Sequence, residues 1–263
     1  MYSFELISPC KSRRFYHLTL EEFCNWRRAL RVATGNPAQD LEEKYEIEGT
    51  LGQGKYGLVK LATERINKKQ YAVKIIAKEK MRPDELQSLR MEIEIMKKLQ
   101  HPHIVKVEEI YETIESVFIV MEHLKGGDLY SHLKSFPNKK MPEDSARSIV
   151  HQVAMALYYL KSEGVVHRDL KPENVMLSGE LFQDTGAPEV KIMDFGLSTV
   201  IGNGERAHDP FGTLTYVAPE ILYDQPYDFK VDVYSLGSMM YQLLCGHLPF
   251  NVRSEKQMVM LVT

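Results

Sequence analysis

The sequence predicts an α+β fold in two lobes, a small antiparallel sheet lobe followed by a helical one. Three observations carry this expectation. Between residues 45 and 121, five short runs with strand character follow closely on one another, interrupted by one helical stripe. Beyond residue 140 the apolar spacing turns helical, over 146–161 and again over 230–245. No internal repeat or low-complexity tract breaks this order, and 263 residues suit one two-lobed domain or two smaller ones.

Residues 1–34 differ in pattern from the remainder of the chain. Phe4, Leu6 and Ile7 suggest one strand, and Phe15, Tyr16 and Leu18 a second, with a Ser/Pro/Lys/Arg turn between. Thr19-Leu20-Glu21-Glu22 has capping-box form, and Phe23, Trp26 and Leu30 recur at helical spacing. Residues 35–44 read as a polar linker. Strands are then expected at 45–52, 57–64 and 70–77, the last two joined by a turn around Asn67-Lys68. Pro83 opens a helix as a first-turn residue, and Leu86, Leu89, Ile93, Met96 and Leu99 give it one apolar stripe. Runs at 104–111 and 116–121 complete the strands of this lobe. In the second lobe, the 146–161 helix turns Ile149, Val153, Ala156, Leu157 and Leu160 inward. An extended 178–189 loop precedes a strand from Val190 to Met193. The 230–245 helix carries Met239, Met240, Leu243 and Leu244, expected to form an open apolar face.

Composition narrows the function. Hydrophobic residues at 44% and charged residues at 26% suit an ordinary globular protein. A net charge of −3 argues against a nucleic-acid binder. Cys10, Cys24 and Cys245 are too scattered for a disulfide framework or a zinc site, so a reducing, cytoplasmic setting is expected. No apolar run approaches a membrane span, and the first residues lack signal-peptide character.

The chemistry concentrates in a few strings. His167-Arg168-Asp169-Leu170-Lys171-Pro172-Glu173-Asn174 is followed twenty residues later by Asp194-Phe195-Gly196. Asp169 offers a carboxylate to accept a hydroxyl's hydrogen bond, and Lys171 a cation to offset charge on a transferred phosphoryl group. Asn174 and Asp194 supply the hard oxygen ligands that Mg²⁺ prefers. Upstream, Leu51-Gly52-Gln53-Gly54-Lys55-Tyr56-Gly57-Leu58-Val59 is a glycine-rich string whose backbone can approach phosphates closely. A dinucleotide site uses similar glycines but opens a helix; here they lie between two strands. Tyr71-Ala72-Val73-Lys74 places a lysine in the next strand. Its partner is expected to be Glu92, on the inward face of the 83–99 helix between Leu89 and Met96, with Glu94 as the fallback.

Together these strings resemble the eukaryotic protein-kinase family over residues 45–250, about three-quarters of the chain. The resemblance implies an ATP-dependent Ser/Thr kinase with Mg²⁺. It implies that Lys74 pairs with Glu92 and holds the α- and β-phosphates. Val59, Ala72 and Met176 would sandwich the adenine, and Met121 would stand at the gate. The backbone of Glu122, His123 and Leu124 would pair with the base, and Asp128 would contact the ribose. Val107, Met96, Phe195 and His167 would stack into a column anchored by Asp232, and Thr213 would bridge Asp169 and Lys171.

Within the family the chain resembles the calcium/calmodulin-dependent group, through Leu99–Val105, the Leu-Lys-Gly-Gly-Asp-Leu run and the 178–189 loop. Residues 1–34 resemble the end of a pleckstrin-homology domain, a pairing similar to protein kinase D. They also read as an amphipathic helix packing on whatever lies nearby. The lipid-reading loops of that family fall in strands missing here, so no lipid binding is expected. Asp128 and Glu173 imply protein substrates with basic residues N-terminal to the acceptor, unless they serve ribose and packing alone. Asp209, four residues before Thr213, and Glu205 stand where loop phosphates are usual and would substitute partly for them, unless they are incidental acids on a solvated loop. The expected domain, 45–263, looks truncated in its helical lobe. The alternative to a working enzyme is an inactive nucleotide-binding or scaffold module.

Overall fold

The computed structural model describes residues 2–8, 11–17, 19, 22, 26, 41–54, 57–79, 81–113, 115–181, 188–202, 204–208, 212–250, 257, 260 and 261. Strands β1 (Tyr2–Ser8) and β2 (Lys11–His17) pair antiparallel as a hairpin, with Phe4 opposite Phe15. Thr19 Oγ1 accepts the N–H of Glu22 at 3.2 Å, one half of the expected capping box. Glu22 and Trp26 are helical and exposed, whereas Phe23 and Leu30 lie outside the described residues.

Helix α1 (Leu41–Lys44) is one turn lying inside the stretch expected to be linker. A polar composition concealed one apolar anchor. Leu41 packs with Tyr45, Ala62, Tyr71, Val73, Tyr111 and Val120 on one face of the sheet. Lys44 secures the turn by ion pairs to Glu109 and, at 3.5 Å, to Glu64.

The sheet is antiparallel and five-stranded. Its order is β3 (Tyr45–Gly54), β4 (Gly57–Glu64), β5 (Gln70–Ala77), β7 (Ser116–Glu122), β6 (Val107–Glu112). β6 starts later than its apolar run because residues 103–105 are drawn elsewhere. Val105 N donates to Ile192 O and Ile192 N to His103 O, both at 2.9 Å. Alternation along β5 sends Tyr71 and Val73 to the Leu41 side and Ala72 and Ile76 to the main core. Lys74 shares the parity of Ala72. Helix α2 (Pro83–Lys98) covers that second face with Leu89, Ile93, Ile95 and Met96 buried.

The second lobe is mainly helical. Helix α3 (Leu129–Lys134) is followed by α4 (Glu143–Ser162), in which every residue expected to face inward is buried. Short strands β8 (Val165–Val166), β9 (Val175–Leu181), β10 (Pro188–Ile192) and β11 (Thr199–Val200) form two ladders, β9 with β10 and β8 with β11. Residues 178–181, expected in a loop, continue β9 instead; 182–187 lie outside the described residues. Gln152 of α4 holds β10 like a backbone partner, donating to Pro188 O at 3.0 Å and accepting from Val190 N at 2.9 Å. Helices α5 (Pro219–Leu222) and α6 (Lys230–Cys245) follow in this lobe, and beyond them Gln257, Met260 and Leu261 are also helical. α6 ends at Gly246, whose φ of 79° is left-handed and where a Cβ would strike Asn138 O.

The open face expected on α6 needs correction. Met239 and Leu243 are fully buried in the main core and Leu244 packs against it; of the four, Met240 is the one exposed. The helix turns 100° per residue, so neighbouring apolar positions need not share a face. Met239→Ala should therefore cost about 2–5 kcal/mol in denaturant unfolding. Met240→Ala should stay within about 0.5 kcal/mol of the parent.

Candidate active site

A cavity of about 790 Å³ lies between the sheet and the helical lobe. Leu51, Gly52, Gln53, Val59, Ala72 and Lys74 line it from the sheet, and Met121, Glu122, His123 and Leu124 from the connection between lobes. Asp128, Asp169, Lys171, Met176, Asp194 and Thr213 line it from below. Of the residues expected at the site, Lys55 and Tyr56 lie outside the described residues. Gly54 and Leu58 belong to the β3–β4 hairpin above the cavity, Gly54 opposite Gly57 and Leu58 opposite Gln53.

The glycines have separate physical reasons. A Cβ on Gly57 would collide with the carbonyl of Ile75 in β5, so this position is fixed by strand packing. A Cβ on Gly52 would meet nothing. Gly52, not Gly57, leaves backbone open toward the cavity.

Lys74 reaches from β5 to Glu92 of α2, Nζ to Oε1 at 2.8 Å. It also stands 3.5 Å from Asp194 Oδ1. Glu92 is buried, whereas the fallback Glu94 faces solvent and pairs with Lys97 at 3.7 Å. Burial alone would lower the Lys74 pKa, but Glu92 and Asp194 outweigh it and hold the ammonium above its ordinary 10.5.

Asp169, Lys171 and Thr213 form a closed triangle. Thr213 Oγ1 donates to Asp169 Oδ1 at 2.6 Å; Lys171 Nζ donates to Asp169 Oδ2 and to Thr213 Oγ1, both at 2.7 Å. Asn174 Nδ2 donates to Asp169 O at 2.8 Å and Oδ2 at 3.0 Å. Beneath them, Asp232 of α6 accepts the N–H of His167 at 2.8 Å and of Arg168 at 2.9 Å. Burial pushes the Asp232 carboxyl above its ordinary range, with His167 and the two N–H bonds opposing it. His167 meets the Phe195 ring edge to face at 5.1 Å, and its Nε2 contacts Met193 O at 3.1 Å. Phe195 and Met96 are buried in one core against which Val107 packs.

Two expected residues have additional engagements. Asp128 caps α3, accepting Ser131 N at 2.7 Å and Ser131 Oγ at 2.8 Å, so both carboxylate oxygens are bonded. Asp209 lies outside the described residues, and Glu205 accepts Gly202 N at 3.1 Å within its own turn. Sequence reasoning passed over Lys191, whose Nζ stands 2.9 Å from each carboxylate oxygen of Glu122. Only the alternation of β10, which directs Lys191 away from buried Val190 and Ile192, hinted at it.

Residues 45–262 match the protein kinase domain family. The chain belongs to that family. It is 38% identical over 208 residues to the serine/threonine-protein kinase SIK3 homolog of Danio rerio, covering 79% of this chain and 17% of the relative. It is 39% identical over 208 residues to serine/threonine-protein kinase SIK2 of Gallus gallus, covering 79% and 25%. With myosin light chain kinase A of Dictyostelium discoideum it shares 38% over 211 residues, covering 80% and 70%. The kinase chain thus spans between 17% and 70% of the length of these relatives.

Because the folded pKa of Lys74 is raised, its stabilising contribution is complete below the ordinary 10.5 and is lost only as pH rises through the raised value. An NMR titration of the Lys74 side chain should show no inflection below about pH 10. An inflection between pH 7 and 9 would contradict the pairing.

Proposed function

We propose that this kinase chain transfers the γ-phosphoryl group of ATP to serine and threonine hydroxyls of proteins. The observation that carries the reading is the triangle of Asp169, Lys171 and Thr213 facing the Lys74–Glu92–Asp194 cluster across one cavity. Val59, Ala72 and Met176 supply apolar surfaces for a flat base. Met121 closes the back of the slot, and the backbone of Glu122 to Leu124 offers hydrogen-bonding edges. Lys74, oriented by Glu92, holds the α- and β-phosphates. Asp169 accepts the acceptor hydroxyl's hydrogen bond and aligns its oxygen, while Lys171 offsets charge on the moving phosphoryl group.

The donor set fits Mg²⁺. The Asp194 carboxylate is 45% exposed toward the cavity, and the Asn174 NH₂ is committed to Asp169, which leaves the amide oxygen as its ligand atom. Mg²⁺ held by these two oxygens would neutralise phosphate charge. Thr213, held to both Asp169 and Lys171, supports the Ser/Thr assignment.

Around this domain, the β1–β2 hairpin and the Thr19 cap support residues 1–34 as the end of a pleckstrin-homology domain, and with it the likeness to protein kinase D. The buried Leu41 supports moving the start of the kinase domain from 45 to 41. Three cysteines too scattered along the sequence for a disulfide framework support a reducing, cytoplasmic setting.

Asp169→Asn should lower turnover about 10²–10⁴-fold and Lys74→Met about 10²–10³-fold, each with an unchanged circular dichroism spectrum. Undiminished turnover in Asp169→Asn would remove that residue from its role. Glu173 is exposed beside the triangle and supports a basic preference in the substrate. A peptide library should favour arginine N-terminal to the acceptor; selection of proline or acidic residues there rejects that preference.

A further inference from the structure

We propose that Glu122 and Lys191 form an ion pair that sets the height of the adenine slot, making both positioning residues for the nucleotide. The inference rests on the reading of the cavity as an ATP site and adds a pair of side chains to it.

Register locates the pair. Glu122 ends β7 directly after Met121, and Met121 lies opposite Ala72, part of the slot's roof. Lys191 lies in β10 opposite Met176 of β9, the slot's floor. The ammonium of Lys191 bonds both oxygens of Glu122 at 2.9 Å, so one contact links the strand beside the roof to the strand beside the floor. The side chains are only 15% and 21% exposed, which separates this pair from a solvent-screened surface bridge.

Backbone bonds make the pair part of a closed circuit. Lys106 N donates to Glu122 Oε1 at 2.7 Å, and Glu122 N donates to Lys106 O at 3.0 Å. One step upstream, Val105 N bonds Ile192 O at 2.9 Å, next to Lys191. The circuit therefore runs from Glu122 through residues 105 and 106 to β10 and returns through the Lys191 side chain. Without the ammonium, Glu122 keeps the backbone path through Lys106 and Val105 to Ile192, but the direct side-chain link from the lobe connection to the floor strand is lost and one side of the circuit opens. The expected consequence is a slot that samples wider openings, and so a weaker hold on the base.

The test is the dissociation constant of Mg-ATP, measured by calorimetry on the protein and on Glu122→Gln, Lys191→Met, the double variant and Lys191→Arg, with each unfolding midpoint recorded without nucleotide. Each of the first two should weaken binding about five- to tenfold, and the double variant no more than the weaker single. Lys191→Arg should return to within about twofold of the parent, because a guanidinium can also bond both oxygens. Additive losses overturn the proposal, as do single variants that bind within about twofold of the parent even if their midpoints fall. Absence of Mg-ATP binding by the folded parent overturns the nucleotide reading and this inference with it.

Discussion

Asp232 rises from the first turn of α6 and accepts the N–H groups of both His167 and Arg168, and the reacting groups hang from those two bonds. Arg168 has a φ of 69°, a left-handed conformation that costs a non-glycine residue about 1–2 kcal/mol. Bonds from backbone N–H to a charged acceptor are strong enough to offset that strain. The turn they hold brings His167 inward, against Phe195, and sends Asp169 toward the cavity. Leaving two buried N–H groups without an acceptor would cost about 1–3 kcal/mol each, concentrated where geometry matters most.

Other contacts carry this order from the helical lobe to the sheet. His167 touches Met193 O, and Asp194 follows with a second left-handed φ of 65°. That turn buries Phe195 and leaves Asp194 facing Lys74. Gly196 lies beside both acids, where a Cβ would meet Asp194 Oδ1 at 3.4 Å and Glu92 Oε2 at 3.5 Å, ordinary contact distances. Three charges from different elements thus meet at one point, with the single Lys74 ammonium offsetting part of the charge of the two acids beside it. A displacement of α2 would remove Glu92 and leave Lys74 with Asp194 alone.

Much of this was legible because it depends on local rules. Strands β4 and β5 coincide with their expected ranges and α6 with its helical run. β5, covered on both faces, reads as a near-continuous apolar run, and a helix packed on one side imposes its period on composition. The motif residues could be ordered along the chain for the same reason. Leu41 was hidden because one buried residue in a polar stretch has no period. Met239 and Met240 could not be separated without the surface that α6 packs against. Asp128 was read by its expected ligand, although an aspartate ahead of Leu129 and three residues before Ser131 also has the form of a helix cap. Lys191 carries no motif; its meaning arises only where β10 and the end of β7 approach in space.

The parity of β5 has a consequence for how this sequence can change length. Tyr71 and Val73 belong to one face of the sheet, while Ala72 and Lys74 belong to the other. Insertions in the turn between β4 and β5 shift neither face, because the count along the strand begins after them. A single residue inserted between Tyr71 and Lys74 would instead reverse every position beyond it, driving the ammonium among Leu41, Tyr45 and Tyr111. Length is therefore free to drift at the hairpin tip and frozen four residues later, a boundary set by the two-residue repeat of extended backbone rather than by any one side chain.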